Sequence, residues 1–340
     1  MTKQPFSGCP EDKNIMSKFV TMEFPADKIR LTPLFKQQDA LCAIRRESPD
    51  AQTPEKILDV YGEVCFPPAP EDRPYLFASI VVSSDGKISF MDDRHGELIA
   101  QNNFRDPDGG LADFWVLNML RFYADGVIIG ARTLHTNEIM WANCFDEELA
   151  ELRVPLLNKA YCPAHIVVSF DGTDIPFDHM LFGVDAQRII ATSPDGLQYV
   201  REHSGFDITE IGPFRSADDV DMDDVYAAAM AHPERILVIA TGEGSVTDGR
   251  ALLKALRGLG MQRIMVESPS YMTYLMSISA MDEMFMNYSS VFAGGTVGFG
   301  AFLQFSANDH PHSDFLQVSM HASNFLCTRQ RMIYGLTQPK

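Results

Sequence analysis

The chain has 340 residues, 46% of them hydrophobic, enough apolar material to bury a large core in one or two domains. Lys and Arg number 28 against 46 Asp and Glu, for a formal net charge of -18. A surface that acidic repels nucleic acid and anionic lipid, so neither is an expected partner, and a phosphate-bearing ligand must find local positive charge or backbone N–H groups.

The six cysteines, Cys9, Cys42, Cys65, Cys144, Cys162 and Cys327, are scattered with no C-x-x-C pair. That spacing predicts free thiols in a reducing compartment rather than a zinc site or a disulfide framework. The opening MTKQPFSGCPEDK has no apolar signal core, and no run approaches the length of a membrane span. The expected location is the cytoplasm.

In chain order, residues 1–72 are polar, rich in Pro, Lys and Gln, and close on Phe66-Pro-Pro-Ala-Pro-Glu-Asp. They are expected to form an N-terminal extension that wraps the main domain or meets a second subunit, with a short helix over 54–61. Residues 73–340 are expected to be the main domain. Apolar runs rich in β-branched residues predict strands at 75–83, 126–129, 165–169, 188–192, 235–241, 263–267 and 284–292. Several are continuous rather than alternating (VIIG, ILVIA, RIMVE), as in strands buried on both faces. Helices are expected over 113–123, 218–230, 247–259 and 271–280. In the third of these, Leu252, Leu253, Leu256 and Leu259 share a face, Thr247 or Asp248 can cap the start, and Gly258 and Gly260 stop it. Strands alternating with helices predict an α/β fold with a mostly parallel central sheet and helices on both faces. The tail, with strands at 315–321 and 324–333, predicts an antiparallel hairpin at one edge.

On such a sheet, ligands bind beyond the carboxyl ends of the strands. The first strand runs into Ser83-Ser84-Asp85-Gly86-Lys87, which is either a plain Asp-Gly turn or one that sets backbone N–H groups beside a ligand. The next ends in Gly130-Ala131-Arg132-Thr133, where glycine permits close approach and the Thr hydroxyl can bind a phosphate or cap a helix. Arg121 closes the preceding helix, where the dipole alone favours a cation. Glu267-Ser268-Pro269-Ser270 leads into a helix start that could offer N–H groups to a pyrophosphate, or could be a capped helix with no ligand. Glu267, directly after a buried strand, needs a partner or a function. Lys87, Arg94, Arg105, Arg121 and Arg132 gather positive charge in this part of an acidic chain. The methionines Met265, Met272, Met276, Met281, Met284 and Met286 predict adaptable packing, in the core or at a subunit interface. No metal is expected; His310 and His312 read more simply as part of a solvated loop.

Together these positions resemble the reductase domain family of riboflavin biosynthesis, the C-terminal domain of RibD, which has a dihydrofolate-reductase-like fold. Arg73-Pro74-Tyr75 and then Ser83-Ser84-Asp85-Gly86-Lys87-Ile88 are similar to that family's R-P-Y…S-L-D-G-K-I. Leu120-Arg121 and the run from Asp125 to Thr133 resemble its L-R…D-A-V-L-V-G-x-x-T, and Ile264-Met265-Val266-Glu267 its L-x-V-E-G-G. Asp282-Glu283 and the loop glycines Gly294-Gly295 follow in the same order, so the resemblance spans about residues 73–335. The deaminase half of the bifunctional enzymes is not matched, since no P-C-x-x-C occurs to accompany an H-x-E.

The resemblance implies NADPH as hydride donor, a phosphoribosylaminopyrimidine substrate whose ribose is reduced to ribityl, and a homodimer. It assigns Val81, Val82, Ser83, Gly130, Thr133, Asn137, Ser268, Pro269, Ser270 and Tyr271 to the cofactor. Arg121 and Glu267 fall to the substrate, and Glu267 and Asp85 are the catalytic carboxylates. Ser79 stands where several members carry Lys, Asn137 replaces an Asp, and Glu-Ser-Pro-Ser replaces Glu-Gly-Gly. Asp171 and Asp174 lie where a base would greet a 2′-phosphate, which opens the way to NADH. A non-catalytic ligand-binding member and a dihydrofolate reductase are the other readings. On the first reading, Glu267→Ala is expected to abolish turnover and leave the chain folded.

Overall fold

The computed structural model describes residues 19–50, 52–137 and 141–336; the expectations for residues 1–18 (Cys9 among them) and 337–340 lie outside the described residues. Its strands are β1 (Thr32–Lys36), β2 (Tyr75–Ser83), β3 (Gly126–Gly130), β4 (Ala164–Val168), β5 (Arg188–Thr192), β6 (Ile208–Phe214), β7 (Ile236–Thr241), β8 (Arg263–Val266), β9 (Glu283–Ser289), β10 (His312–His321) and β11 (Phe325–Ile333). They form one sheet in the order β1-β10-β11-β9-β2-β8-β3-β4-β5-β7-β6. From β9 to β6 every neighbouring pair is parallel, whereas β11, β10 and β1 add on antiparallel to β9. This is the mostly parallel α/β sheet with an antiparallel C-terminal hairpin expected from the sequence.

The helices are α1 (Ala26–Ile29), α2 (Gln38–Glu47), α3 (Glu55–Val60), α4 (Leu98–Gln101), α5 (Gly109–Tyr123), α6 (Ala131–Thr136), α7 (Glu147–Leu157), α8 (Pro194–His203), α9 (Met222–Ala231), α10 (Gly249–Gly258) and α11 (Pro269–Ser277). They divide between two cores, one on each face of the sheet. Trp115, Met119 and Phe122 of α5 pack with Leu134 of α6 and Leu197 and Val200 of α8 on one face. Leu252, Leu253 and Leu256 of α10 pack with Met272 and Leu275 of α11 on the other. Each of these side chains contributes roughly 1.5–3 kcal/mol by leaving water. Asp248 caps α10 by accepting from Ala251 N at 2.7 Å.

β1 and β6 were not expected. Both are edge strands, β1 mostly exposed and β6 with a single buried residue, so neither carries the apolar run that marks a buried strand. β6 also contains Pro213, which an edge tolerates because one side needs no donor. Residues 19–66 of the segment set apart as an extension share the core under α5. Phe24, Ile29, Ile57 and Val60 belong to it, and Phe66 stacks on Phe77 of β2 at 4.7 Å. The antiparallel edge is tied to the parallel strands by a buried charge. Arg329 of β11 donates from Nε to Glu283 of β9 at 2.7 Å, and the Tyr75 hydroxyl donates to the same carboxylate at 2.9 Å.

Candidate active site

Strand register creates the site. β8 stops at Val266, because Pro269 cannot donate to a ladder and starts α11 instead. β2 pairs with β8 only over residues 75–78 but with β9 as far as Ser83. Residues 79–83 therefore stand past the end of β8 with no strand neighbour on that side. β3 behaves alike, pairing with β8 over 126–128 and with β4 to Gly130. The result is a cleft with Glu267 and Ser268 as its floor and the ends of β2 and β3 as its walls. The segments that begin near Asp85, Gly130 and Glu267 thus share one rim.

The same place is a topological switch point. α6, after β3, packs against the α5 core, while α11, after β8, packs against the α10 core. Helices that leave neighbouring strands toward opposite faces open a crevice between them. Neither α6 nor α11 has a side-chain cap, whereas Asp146, Ser193, Asp221 and Asp248 cap α7, α8, α9 and α10. Gly130 and Ser268 meet across the crevice: a Cβ on Gly130 would sit 2.8 Å from Ser268 Oγ, so a larger residue there would force the Ser268 hydroxyl to turn away.

Most residues assigned to the cofactor line this crevice or flank it. Val82 and Ser83 are buried and Val81 is half-buried at the end of β2. Thr133 is half-buried on α6, its Oγ1 3.7 Å from the position a Gly130 Cβ would take. Asn137 ends α6, and its carbonyl lies 2.9 Å from His179 Nε2. Ser268 Oγ and Ser270 Oγ are 3.4 Å apart at the start of α11, with half-buried Pro269 between them. Tyr271 turns into the opposite core, where burial pushes its phenol far above the ordinary range.

Arg121 and Glu267, both assigned to the substrate, bind each other. Arg121 Nε donates to Glu267 Oε1 and Nη2 to Oε2, each at 2.7 Å, and the two side chains are 5% and 6% exposed. Nη1 of Arg121 also donates to the carbonyls of Asn143 and Trp141, at 3.2 and 3.4 Å. Arg121 is itself held by its helix end. Arg153 of α7 donates to the carbonyls of Arg121, Phe122 and Ala124, supplying the cation that the C-terminus of α5 favours.

Asp85 is a clasp between two loops. Its carboxylate accepts from Ser83 Oγ at 2.6 Å, Ala293 N at 3.1 Å and Gly294 N at 2.8 Å. The Ser83 hydroxyl and then those backbone N–H groups hold its pKa at about 2. Ser84 N and Ile88 N add bonds to Val291 and Val297, so residues 290–298 are drawn over the turn after β2. Asp85→Ala is expected to release that loop, read as faster amide exchange at Ala293 and Gly294 with little change in the buried strands. Unchanged protection at both amides would show that the backbone bonds alone suffice.

Sequence reasoning placed His165 on a strand but gave it no role. It is fully buried behind the cleft, where Ala142 N donates to Nε2 at 2.8 Å and, among the described residues, Nδ1 has no partner. Burial, helped by Arg121, pushes its pKa down to about 3. Asp113 of α5 was also missed. It is half-buried, accepts from Asn287 Nδ2 at 2.7 Å, and is pushed up to about 6 by burial. Neither has a local sequence signature, since each depends on a partner distant in the chain. The His310 and His312 rings lie 4.6 Å apart, and no group of three or more possible metal ligands occurs among the described residues. No helix among the described residues is long and apolar enough to cross a membrane.

No protein-family model and no curated protein matches the chain. Solved structures do match it. A pyrimidine reductase-like protein from Corynebacterium diphtheriae is similar over 82% of this chain and 98% of its own, at 15% identity and a TM-score of 0.54. RibD of Acinetobacter baumannii matches 77% of this chain and 59% of its own, at 12% identity and a TM-score of 0.48. A deaminase/5-amino-6-(5-phosphoribosylamino)uracil reductase of Thermotoga maritima matches 77% and 58%, at 13% identity and a TM-score of 0.47. The first of these carries the comparison, and at 15% identity it speaks to architecture. The chain has the fold of that pyrimidine reductase-like protein, the dihydrofolate-reductase-like α/β sheet that its sequence resembles.

Proposed function

We propose that the protein is a nicotinamide-dependent reductase of a small metabolite, of the riboflavin-pathway 5-amino-6-(5-phosphoribosylamino)uracil reductase type. Residues 73–340 would be the reductase unit, with residues 1–72 as its extension, in a cytoplasmic homodimer. The observation that carries this reading is the cleft past the end of β8, flanked by the starts of α6 and α11. Helix starts without side-chain caps leave N–H groups for a pyrophosphate. In an acidic chain, that is how a dinucleotide can be held without a basic patch.

The residues present fit such a cofactor. Ser268, Pro269, Ser270 and Tyr271 would hold the pyrophosphate by backbone N–H groups, except at Pro269, which would only shape the turn. Gly130 would face it from the end of β3 and Thr133 from α6, Asn137 would bound it, and Val81, Val82 and Ser83 would line the nicotinamide wall. NADPH is the cofactor the family resemblance favours. NADH is the alternative, because Arg132, between Gly130 and Thr133 in the chain, lies 3.7 Å from Asp174. When bound, the nicotinamide supplies the hydride; the chain aligns and holds the substrate.

Glu267 can still serve the substrate while paired with Arg121. A carboxylate has about four acceptor sites and the guanidinium fork takes two, so a substrate hydroxyl or amino group can use another. Asp85, with a pKa of about 2, is ionised near neutrality and can accept a proton or a hydrogen bond there but not donate one.

Titrating the protein with NADPH and NADH and following cofactor fluorescence tests the reading; at least one should bind saturably. Thr133→Ala should weaken that binding by about 3–10-fold, the worth of one hydrogen bond, with a smaller effect on the substrate KM. A folded protein that binds neither cofactor would overturn the proposal. One observation favours a non-catalytic ligand-binding member instead: the Ser268 side chain takes up space at the cleft floor beside Gly130. Sustained cofactor oxidation with a reducible pyrimidine would exclude that second reading.

A further inference from the structure

At the antiparallel edge of the sheet, away from the cleft, α2 packs against β10 beside an open pocket of about 430 Å³ that Arg329 of β11 also lines. That is the size of a small-metabolite site. Its lining is unlike the rest of the chain. Of ten lining residues, four are cations (Lys36, Arg45, Arg46 and Arg329) and one, Glu63, is an anion. In a chain of net charge -18, such a surplus in one concave place focuses a positive field.

The cations differ in how far they are already neutralised. Arg45 Nε lies 3.3 Å from Glu63, and Arg329 is forked onto Glu283 behind the cavity wall. Lys36 and Arg46 form no ion pair among the described residues. Arg329 is 1% exposed yet lines the cavity. Its Nε and Nη2 are engaged by Glu283 and the Cys65 carbonyl, which leaves Nη1 without a hydrogen bond among the described residues. A buried guanidinium with one nitrogen unspent, beside two free cations, is a set of donors awaiting an acceptor.

We propose that this cavity binds a small polyanion of sugar-phosphate size, held by Lys36, Arg45, Arg46 and Nη1 of Arg329. Three arginines suit an oxyanion with several oxygens, because the guanidinium fork matches phosphate and carboxylate geometry. Leu41, Cys42 and Cys65 complete the wall with less polar surface, which suits a ligand with a carbon skeleton over a bare inorganic ion. The proposal is independent of the reductase reading, since none of these residues lies at the cleft.

The test uses the full chain, with pyrophosphate and citrate as probes and sodium chloride at matched ionic strength as control. Calorimetric titration should show saturable binding of at least one probe, and its addition should raise Tm with concentration. The double variant Lys36→Glu, Arg46→Glu changes two partly or fully solvent-facing side chains and should fold normally. It should lose affinity for the probe by about tenfold or more and keep nicotinamide-cofactor binding unchanged. Pyrophosphate binding without citrate binding would assign the site to phosphate chemistry, and the reverse to polycarboxylates. If neither probe binds, if sodium chloride shifts Tm equally, or if the double variant binds as well as wild type, the proposal is overturned.

Discussion

Glu267→Ala is expected to lower folding stability by about 3–5 kcal/mol, a third or more of what a domain of ordinary stability possesses. The cause is the partner left behind. Arg121 keeps a full charge in a place where only 5% of its side chain meets water, and its two best hydrogen bonds are gone. Removing one member of a buried pair costs far more than the pair itself contributes, because the remaining ion is desolvated without compensation. Urea unfolding of three variants would check this. Glu267→Ala should be the worst. Glu267→Gln, which keeps an acceptor for one guanidinium nitrogen, should lose less. The double variant Arg121→Met, Glu267→Leu should recover much of the single variant's loss, because apolar groups of similar volume avoid the stranded charge. A Glu267→Ala cost below about 1 kcal/mol would place the pair among surface ion pairs in its energetics and remove it as the anchor of the cleft floor.

This bears on how activity data at Glu267 should be read. The sequence reading expected Glu267→Ala to stop turnover in an intact fold, and the Arg121 fork gives that variant a second way to fail. Glu267→Gln is the better probe of chemistry. It holds the floor approximately in place while removing the charge proposed above to serve the substrate. A fall in kcat for Glu267→Gln with near-native stability would assign the effect to the site; a parallel loss of both would assign it to the scaffold.

What could be read ahead of the structure followed physical signal strength. The parallel strands of the middle announced themselves because burial on both faces demands continuous apolar runs, as in VIIG of β3 and ILVIAT of β7. The edge strands β1 and β6 face solvent and have no such constraint, so their residues read as loop. The rim was legible because glycine, Asp-Gly and a capped-helix pattern mark strand ends wherever they fall. The pairing of Arg121 with Glu267 was not, being a contact across 146 residues that neither neighbourhood encodes. The same holds for Asp85, whose partners Ala293 and Gly294 lie more than two hundred residues away, and for Asp113 with Asn287. Residues 19–66 read as an appendage on composition, yet Phe24, Ile29, Ile57 and Phe66 place apolar side chains at intervals too irregular to show a face.

Two groups, buried His165 and half-buried Asp113, should move stability in opposite directions as pH falls. His165 titrates at about 3 in the folded chain against 6.5 ordinarily, so between those values the unfolded chain binds the extra proton. Its contribution is whole above pH 6.5 and is lost as pH falls toward 3. Asp113 is the reverse: pushed from 3.8 to about 6, it holds a proton in the folded chain that the unfolded chain has released, and stability rises as pH falls through 6. Going from about pH 7.5 to about pH 5, His165 should cost roughly 2 kcal/mol and Asp113 return roughly 1 kcal/mol, leaving wild type only slightly less stable. His165→Gln keeps an acceptor for Ala142 N but cannot ionise, so this variant should instead become more stable by about 1 kcal/mol over the same interval. Asp113→Asn removes the opposing slope and should lose about 2 kcal/mol. Carboxylates held low by hydrogen bonds, such as Asp85 and Asp171, add their own losses only below about pH 4 and do not intrude. Urea midpoints at the two pH values for the three proteins measure all of this. Identical pH dependence in His165→Gln and wild type would mean that His165 is protonated in the folded chain, which its single accepted bond from Ala142 N does not permit.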